Sequence, residues 1–542
     1  MYLGIDLGTS EVKALVIDEN NQVIASHSAP LSIQRPHPHW SEQSPELWWE
    51  ATEYLMATLR EKCAQHWPAI KAIGLSGQMH GAVLLDAEGE TIRPAILWND
   101  TRCAAECAEL EAMAPELHQV AGNLAMPGFT APKLLWVRRH EPQNFQRTAT
   151  VLLPKDYLRY RMTGKKVSDM SDAAGTLWLD VAKRDWSDAL LDKCGLSRSQ
   201  MPTLVEGCEI SATLDPKVAE RWGLNASVVV AGGGGDNAVS AIGVGAVSPG
   251  DAFISLGTSG VLFVVTDAYR PAPQSAVHAF CHVLPNLWHQ MSVMLSAASC
   301  LQWFCRLTGT TEVALLAEIA ELSEEEKANA PFFLPYLSGE RTPHNDPDAR
   351  GIFWGMTHSS LRAQLGYAVL EGVSFGINDG LQALKESGTP IAQCSLVGGG
   401  ARSPFWAQLL ADILAMPVVT HKGGETGGAL GAARLACLAA GKPIAAVCEK
   451  PEVWQTWRAD PIRHHTLMQR YAQFKNQSIG KAIKKPELEF IKEHGDEFRD
   501  EFVMLSNGDN ELTEYLTKVF LYRILTSNRV VQKVCSAVGV KA

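Results

Sequence analysis

Short apolar runs bounded by glycine alternate with longer amphipathic stretches through most of this chain, and one such arrangement occurs twice. Tyr2–Asp6 and Val12–Ile17 are apolar runs joined through Leu7-Gly8-Thr9-Ser10, and Phe253–Leu256 passes through Gly257-Thr258-Ser259 into Val261–Val265. Each pair predicts a hairpin with a tight turn. After the first, the pattern predicts a third strand over Gln22–Ser26, a helix over Glu46–Gln65, and strands over Ala72–Leu75 and Val83–Leu85. A helix over Lys133–Arg139 and strands over Val151–Leu153 and Val228–Ala231 follow. After the second hairpin come helices over Ser296–Leu307 and Ser360–Leu384, a strand over Ser395–Val397 and a helix over Pro404–Leu414. Apolar runs this short, closed by glycine, are those of buried strands covered by helices. A strand–strand–strand–helix order used twice predicts an α/β fold with mixed sheets, in two domains around a cleft. The cluster Gly243, Gly245, Pro249 and Gly250 marks the boundary, giving domains over 1–246 and 247–478.

The last stretch differs in kind. From about Ile479 it becomes dense in charges of both signs, then carries Leu512, Tyr515, Leu516, Val519, Phe520 and Ile524 at helical spacing. Residues 479–542 read as an appended tail.

Bulk properties narrow the class. At 542 residues the chain exceeds what one core supports. Its 46% hydrophobic and 20% charged content is that of a globular protein. A net charge of −11 argues against nucleic acid and anionic membrane as partners. No window reaches the ~18 apolar residues of a spanning helix. A strand beginning at Tyr2 leaves no room for a signal peptide, so a cytoplasmic location is expected. The 12 cysteines are scattered, and Cys103 with Cys107 has no second pair to complete a zinc site, so reduced thiols are expected.

Candidate chemistry sits at the turns. Each Gly-Thr-Ser turn (Gly8, Thr9, Ser10; Gly257, Thr258, Ser259) can offer backbone N–H groups and two hydroxyls to an anion, with glycine permitting close approach. Two such turns, one in each half, can clamp one polyphosphate. Asp6 ends the first strand beside its turn, placed to hold Mg²⁺ or a water, or else to cap that turn. The strand Val228–Ala231 runs into Gly232-Gly-Gly-Gly235 and then Asp236-Asn237 at the start of a helix. There the helix N-terminus is expected to keep the Asp236 carboxylate ionised, fit to take a proton from an attacking hydroxyl. The plainer reading of Asp236 is an N-cap. Gly399-Gly400-Ala401 forms a strand–glycine–helix turn of the nucleotide-contacting type. Ser76-Gly77-Gln78-Met79-His80-Gly81 gathers an amide, a thioether and an imidazole on one loop, which suits a polyhydroxyl ligand, although a lone histidine in a loop is more often structural, and Trp98-Asn99-Asp100 is similar.

Together these residues resemble the FGGY carbohydrate kinases, within the actin/hexokinase/Hsp70-like ATPase superfamily. The resemblance rests on the paired Leu-Gly-Thr-Ser turns, on Gly232–Ala238, and on Gly398-Gly-Gly-Ala-Arg-Ser403. It extends to Gly128-Phe-Thr-Ala-Pro-Lys-Leu-Leu-Trp136, Gly351-Ile-Phe-Trp-Gly-Met356 and Ala368-Val-Leu-Glu371, covering roughly residues 1–475. It implies two ribonuclease-H-like domains around a deep cleft, with sugar mainly on the first and ATP–Mg²⁺ mainly on the second. Ser76–Gly81, Trp98–Asp100 and Leu153-Pro-Lys-Asp-Tyr157 are most similar to members that phosphorylate D-xylulose at the 5-hydroxyl. By that resemblance Gln78, Met79, His80, Trp98, Asn99, Asp236 and Asn237 contact the sugar, and Asp236 is the catalytic base. Asp6 and Asp236 hold Mg²⁺ directly or through water, while the two Gly-Thr-Ser turns and Gly399–Ala401 hold ATP. Members acting on glycerol carry Arg-Glu where this chain has Met79-His80, which disfavours glycerol. Another pentulose or polyol kinase, or an assembling or chaperone ATPase of the superfamily, is the alternative; a homodimer is the assembly left open.

Overall fold

The computed structural model describes residues 1–422 and 427–481, with side chains described as far as Asn476. The tail expected over 479–542 lies outside the described residues from residue 482 on, and its helix-spaced apolar positions with it. The chain divides into two compact units, one built from Met1–Met294 with Ile377–Ala459, the other from Leu295–Gly376 with the described residues from Asp460 onward.

The first unit holds two seven-stranded mixed sheets. In the first, Tyr2–Leu7 runs antiparallel to Glu11–Ile17, which runs antiparallel to Val23–Pro30. On its other side Tyr2–Leu7 is parallel to Ala72–Gly77, which is parallel to Val229–Ala231, and Ile210–Thr213 closes the order. The second sheet repeats this plan. Trp288–Met294, Gly260–Thr266 and Ala252–Leu256 form the antiparallel part, and Cys394–Val397 and Val418–His421 add parallel strands. His278–Cys281 and Val453–Trp457 flank it. The fold is therefore mixed α/β, with the ribonuclease-H-like order in both sheets.

Most expected elements are present, with informative differences at their ends. The third strand runs over Val23–Pro30, beyond Ser26, because an edge strand tolerates the alternating polar residues Ser26, His27 and Ser28. The first long helix is Pro45–Lys62 and ends before the expected Gln65, where the backbone at Cys63 leaves the helical region. The strand Trp288–Met294 escapes the apolar pattern because His289 and Gln290, both buried, interrupt it.

One helix missing from the expected list organises the first unit. Gly428–Ala439 is buried along Gly428–Leu438 and so has no polar face to reveal it. It lies against the first sheet so closely that a Cβ on Gly4 would stand 2.0 Å from the Ala429 carbonyl oxygen, and one on Gly74 1.7 Å from that of Ala432.

The second unit has its own core. Trp303 stacks on Phe333 and Phe353, on helix Ala298–Thr308 and the strand pair Phe332–Leu334/Ile352–Trp354. Arg470 clamps the buried carboxylate of Glu371 at 2.6 and 2.7 Å and donates to the Ala328 and Ala330 carbonyls.

Candidate active site

The carboxyl ends of the central strands of the first sheet bring the predicted chemistry to one edge. Asp6 pairs in register with Ser76, and Gly234 and Gly235 pair with Ser76 and Gly77. Asp6, the Gln78–His80 loop and Asp236 thus leave adjacent strands at the same end, where ligands bind in open α/β sheets.

Asp236 is the first residue of helix Asp236–Gly243, half-buried, its Oδ1 accepting from the Asn237 backbone N–H at 2.8 Å and the Asn237 side-chain amide at 3.1 Å. Those donors and the helix N-terminus favour the ionised form. Burial nonetheless prevails, and with the nearby Asp6 carboxylate it pushes the Asp236 pKa up to about 7. The expected dominance of the helix N-terminus is therefore corrected: a two-turn helix offsets neither desolvation nor a second carboxylate. The outcome suits a general base, whose pKa serves best near the working pH.

Asp6 is raised too, by burial, and its Oδ1 has no hydrogen-bond partner. The Asp6 carboxylate, which raises Asp236 and carries an orphaned oxygen, is a donor fitted to a hard divalent cation, with phosphate and water oxygens needed to complete its shell. A Cβ on Gly428 would meet the Asp6 carboxyl at 2.7 to 2.8 Å, so glycine is required where the buried helix begins.

The first Gly-Thr-Ser turn closes through Gly8 N–H to the Glu11 carbonyl at 2.9 Å. Thr9 donates to Gln78 Oε1 at 3.3 Å and accepts from the Trp98 indole at 2.9 Å, and Gln78 Nε2 reaches the Gly8 carbonyl at 3.2 Å. Gln43 adds a bond to the Thr9 carbonyl at 2.8 Å. Gln78 is buried with both ends of its amide on this turn, so it braces the turn, and Trp98 does the same from a more exposed position. Ser10 is exposed.

Met79 packs against Gly235, the residue before Asp236. A Cβ on Gly235 would stand 2.8 Å from Met79 Cγ. His80 sits in the left-handed region at φ 70°, packs on Phe129 at 4.5 Å, and directs Nδ1 to the Gly175 carbonyl at 2.7 Å. A carbonyl only accepts, so Nδ1 is the donor in this bond, which fixes the orientation of the ring. Asn99 Oδ1 is buried without a partner, an acceptor awaiting a hydroxyl. Its neighbour Asp100 is spent on Arg102 and the Ser41 amide.

In the second sheet, Gly257–Ser259 joins Ala252–Leu256 to Gly260–Thr266, with Thr258 exposed, and Gly399–Arg402 forms a single 3₁₀ turn after Cys394–Val397. A Cβ at Gly399 would meet nothing within 4 Å, and at Gly257 only the Ser259 carbonyl oxygen at 3.8 Å. Packing therefore does not demand glycine at either position.

The expected site omitted a buried ionic cluster behind these loops. Lys155 Nζ lies 2.8 Å from each of Asp156, Asp169 and Asp172, all fully buried. Burial works against this ammonium, yet the three carboxylates hold its pKa above the ordinary lysine value. Burial pushes Asp172 up to about 8. Lys155-Asp156 lies inside Leu153–Tyr157, so the sequence marked the place without disclosing the cluster.

The comparisons with known proteins follow the same lines. Residues 1–243 match the N-terminal domain, and residues 252–440 the C-terminal domain, of the FGGY family of carbohydrate kinases. Over 440 residues the chain is 56% identical to the xylulose kinase of Escherichia coli (strain K12), covering 81% of this chain and 90% of that one. The xylulose kinase of Bacillus subtilis (strain 168) is 38% identical, covering 81% and 88%. Among solved structures, a xyloylose kinase from Brucella ovis superposes with a TM-score of 0.85 at 49% identity, covering 90% of this chain and 99% of that chain.

Proposed function

The chain belongs to the FGGY family of carbohydrate kinases, and from that premise we propose that it transfers the γ-phosphoryl group of ATP to the 5-hydroxyl of D-xylulose, yielding ADP and D-xylulose 5-phosphate. Identity to named xylulose kinases over most of the chain supports the substrate. The observation that carries the mechanism is Asp236, a carboxyl tuned to about 7 at the end of the central strands, with Met79 against its turn.

His80 Nε2 and Asn99 Oδ1 hydrogen-bond to sugar hydroxyls and set the pentulose with its terminal hydroxyl toward Asp236, with Asn237 steadying that carboxylate. Asp236 takes the hydroxyl proton as the oxygen attacks phosphorus, and the carboxylic acid so formed is stable near neutral pH because its pKa is raised. The turns Gly8–Ser10 and Gly257–Ser259 present N–H and hydroxyl groups to the phosphates, and Gly399–Ala401 lines the nucleotide. Asp6, with Asp236, would hold Mg²⁺ directly or through water; when bound, the cation neutralises phosphate charge. The remaining work is positioning, as is general in phosphoryl transfer.

The enzyme works in the cytoplasm on small molecules, without a nucleic-acid or membrane partner, and a homodimer is compatible with this reading. Among the described residues no helix is long and apolar enough to cross a membrane. The test is the product: ¹³C and ³¹P NMR of the reaction with ATP, Mg²⁺ and D-xylulose should show phosphorus coupled to C5. Phosphorylation at another carbon would refute the assignment.

A further inference from the structure

Asp236 is carried by a glycine turn with no stiffness of its own, so something else must hold it. The structure supplies two clamps. Arg159, fully buried, directs its guanidinium to the carbonyls of Gly232 and Ala231 and to that of Val167. Ser171, also fully buried, accepts the Gly235 N–H on Oγ at 3.2 Å and donates to Asp169 Oδ2 at 2.5 Å. Gly235 directly precedes Asp236. Asp169 also receives the Ser171 backbone N–H at 2.8 Å and is tied to Lys155. A Cβ on Gly234 would stand 2.8 Å from Ser171 Oγ, so the hydroxyl fills the space against the turn.

The same short segment reaches the sugar loop. Four residues after Ser171, the Gly175 carbonyl receives His80 Nδ1–H. One anchored turn, Met170–Thr176, therefore touches both the residue before the base and the imidazole assigned to the substrate.

We propose that Ser171, locked by Asp169 and the buried Lys155, and Arg159 are positioning residues for Asp236, and that the Met170–Thr176 segment sets the distance between the base and the acceptor hydroxyl held by His80. This rests on the kinase reading above. A buried charge cluster is a poor source of stability compared with apolar packing. Its use here is geometric, since a base displaced by even ~1 Å loses much of its effect.

The test is a double-mutant cycle between Ser171→Ala and Asp236→Asn, with Ser171→Cys as a near-isosteric second variant whose sulfur is a weak acceptor. Ser171→Ala should lower kcat by ~10-fold or more with the KM for ATP within about twofold, and Ser171→Cys should lie between it and wild type. In the Asp236→Asn background, Ser171→Ala should add almost no further loss, because its action passes through the carboxylate already removed. Additive losses, or an unchanged kcat in both single variants, would overturn the proposal. Amide hydrogen exchange over 232–237 should quicken in Ser171→Ala, and unchanged protection there would overturn it independently of turnover. Absence of sugar-dependent turnover in the wild type would instead refute the kinase reading.

Discussion

A Cβ placed on Gly428 would stand 2.7 Å from Oδ2 of Asp6. The first residue of a buried helix and the last carboxylate of the central strand are thus fitted to one another with no atom to spare. Gly428→Ala should push the Asp6 carboxyl from its place while leaving the rest of the helix intact. The expected result is lower turnover and a severalfold higher Mg²⁺ requirement, read from a Mg²⁺ titration of the rate. A titration superposable on wild type would mean that Asp6 does not serve the metal.

Asp236→Asn should lose phosphoryl transfer by ~10²–10⁴-fold, the usual contribution of a positioned base, while nucleotide binding persists. Its stability should change with pH in a set direction. The native carboxyl titrates near 7 and the unfolded one near 3.8, so the native state binds the extra proton between those values. Stability from this group is full below pH ~3.8 and falls as pH rises through ~7. The variant should therefore gain most over wild type above pH 7, read as the difference in thermal midpoint at pH 5 and pH 8. An equal difference at both pH values would contradict the raised pKa.

The acid limb of kcat/KM for the sugar reports the base in the free enzyme. Because the Asp6 charge helps raise Asp236, Asp6→Asn should move that limb to lower pH even as it reduces the rate. A limb that stays in place would show burial acting alone.

The close contact between the first sheet and helix Gly428–Ala439 predicts a pure stability effect. Gly74→Ala drives a methyl group to 1.7 Å from the Ala432 carbonyl oxygen. Overpacking of this kind costs ~1–3 kcal/mol or more. Chemical denaturation should show the loss, and a variant as stable as wild type would mean that the helix can withdraw without penalty.

What the sequence disclosed follows from what each residue answers to. Asp6, Asp236 and His80 lie in or next to glycine-containing turns at strand ends, and those turns stand out in the sequence, so where they sit in the first sheet could be read directly. The hairpins and parallel strands were legible because buried strands leave apolar runs. Helix Gly428–Ala439 was not, since a helix buried all round has no periodic face. Lys155, Arg159, Asp169 and Asp172 look like solvated charges until the fold buries them together. Gln78 was read as a sugar ligand together with its loop; only three dimensions show its amide spent on Gly8 and Thr9.

The most direct test is the initial rate of ADP release by the full chain with ATP and Mg²⁺, measured for wild type and Asp236→Asn in parallel. D-xylulose should raise the wild-type rate severalfold, glycerol and L-ribulose much less, and the variant should respond to none of them. A greater response to glycerol than to D-xylulose, or a variant that keeps the wild-type response, would contradict the account.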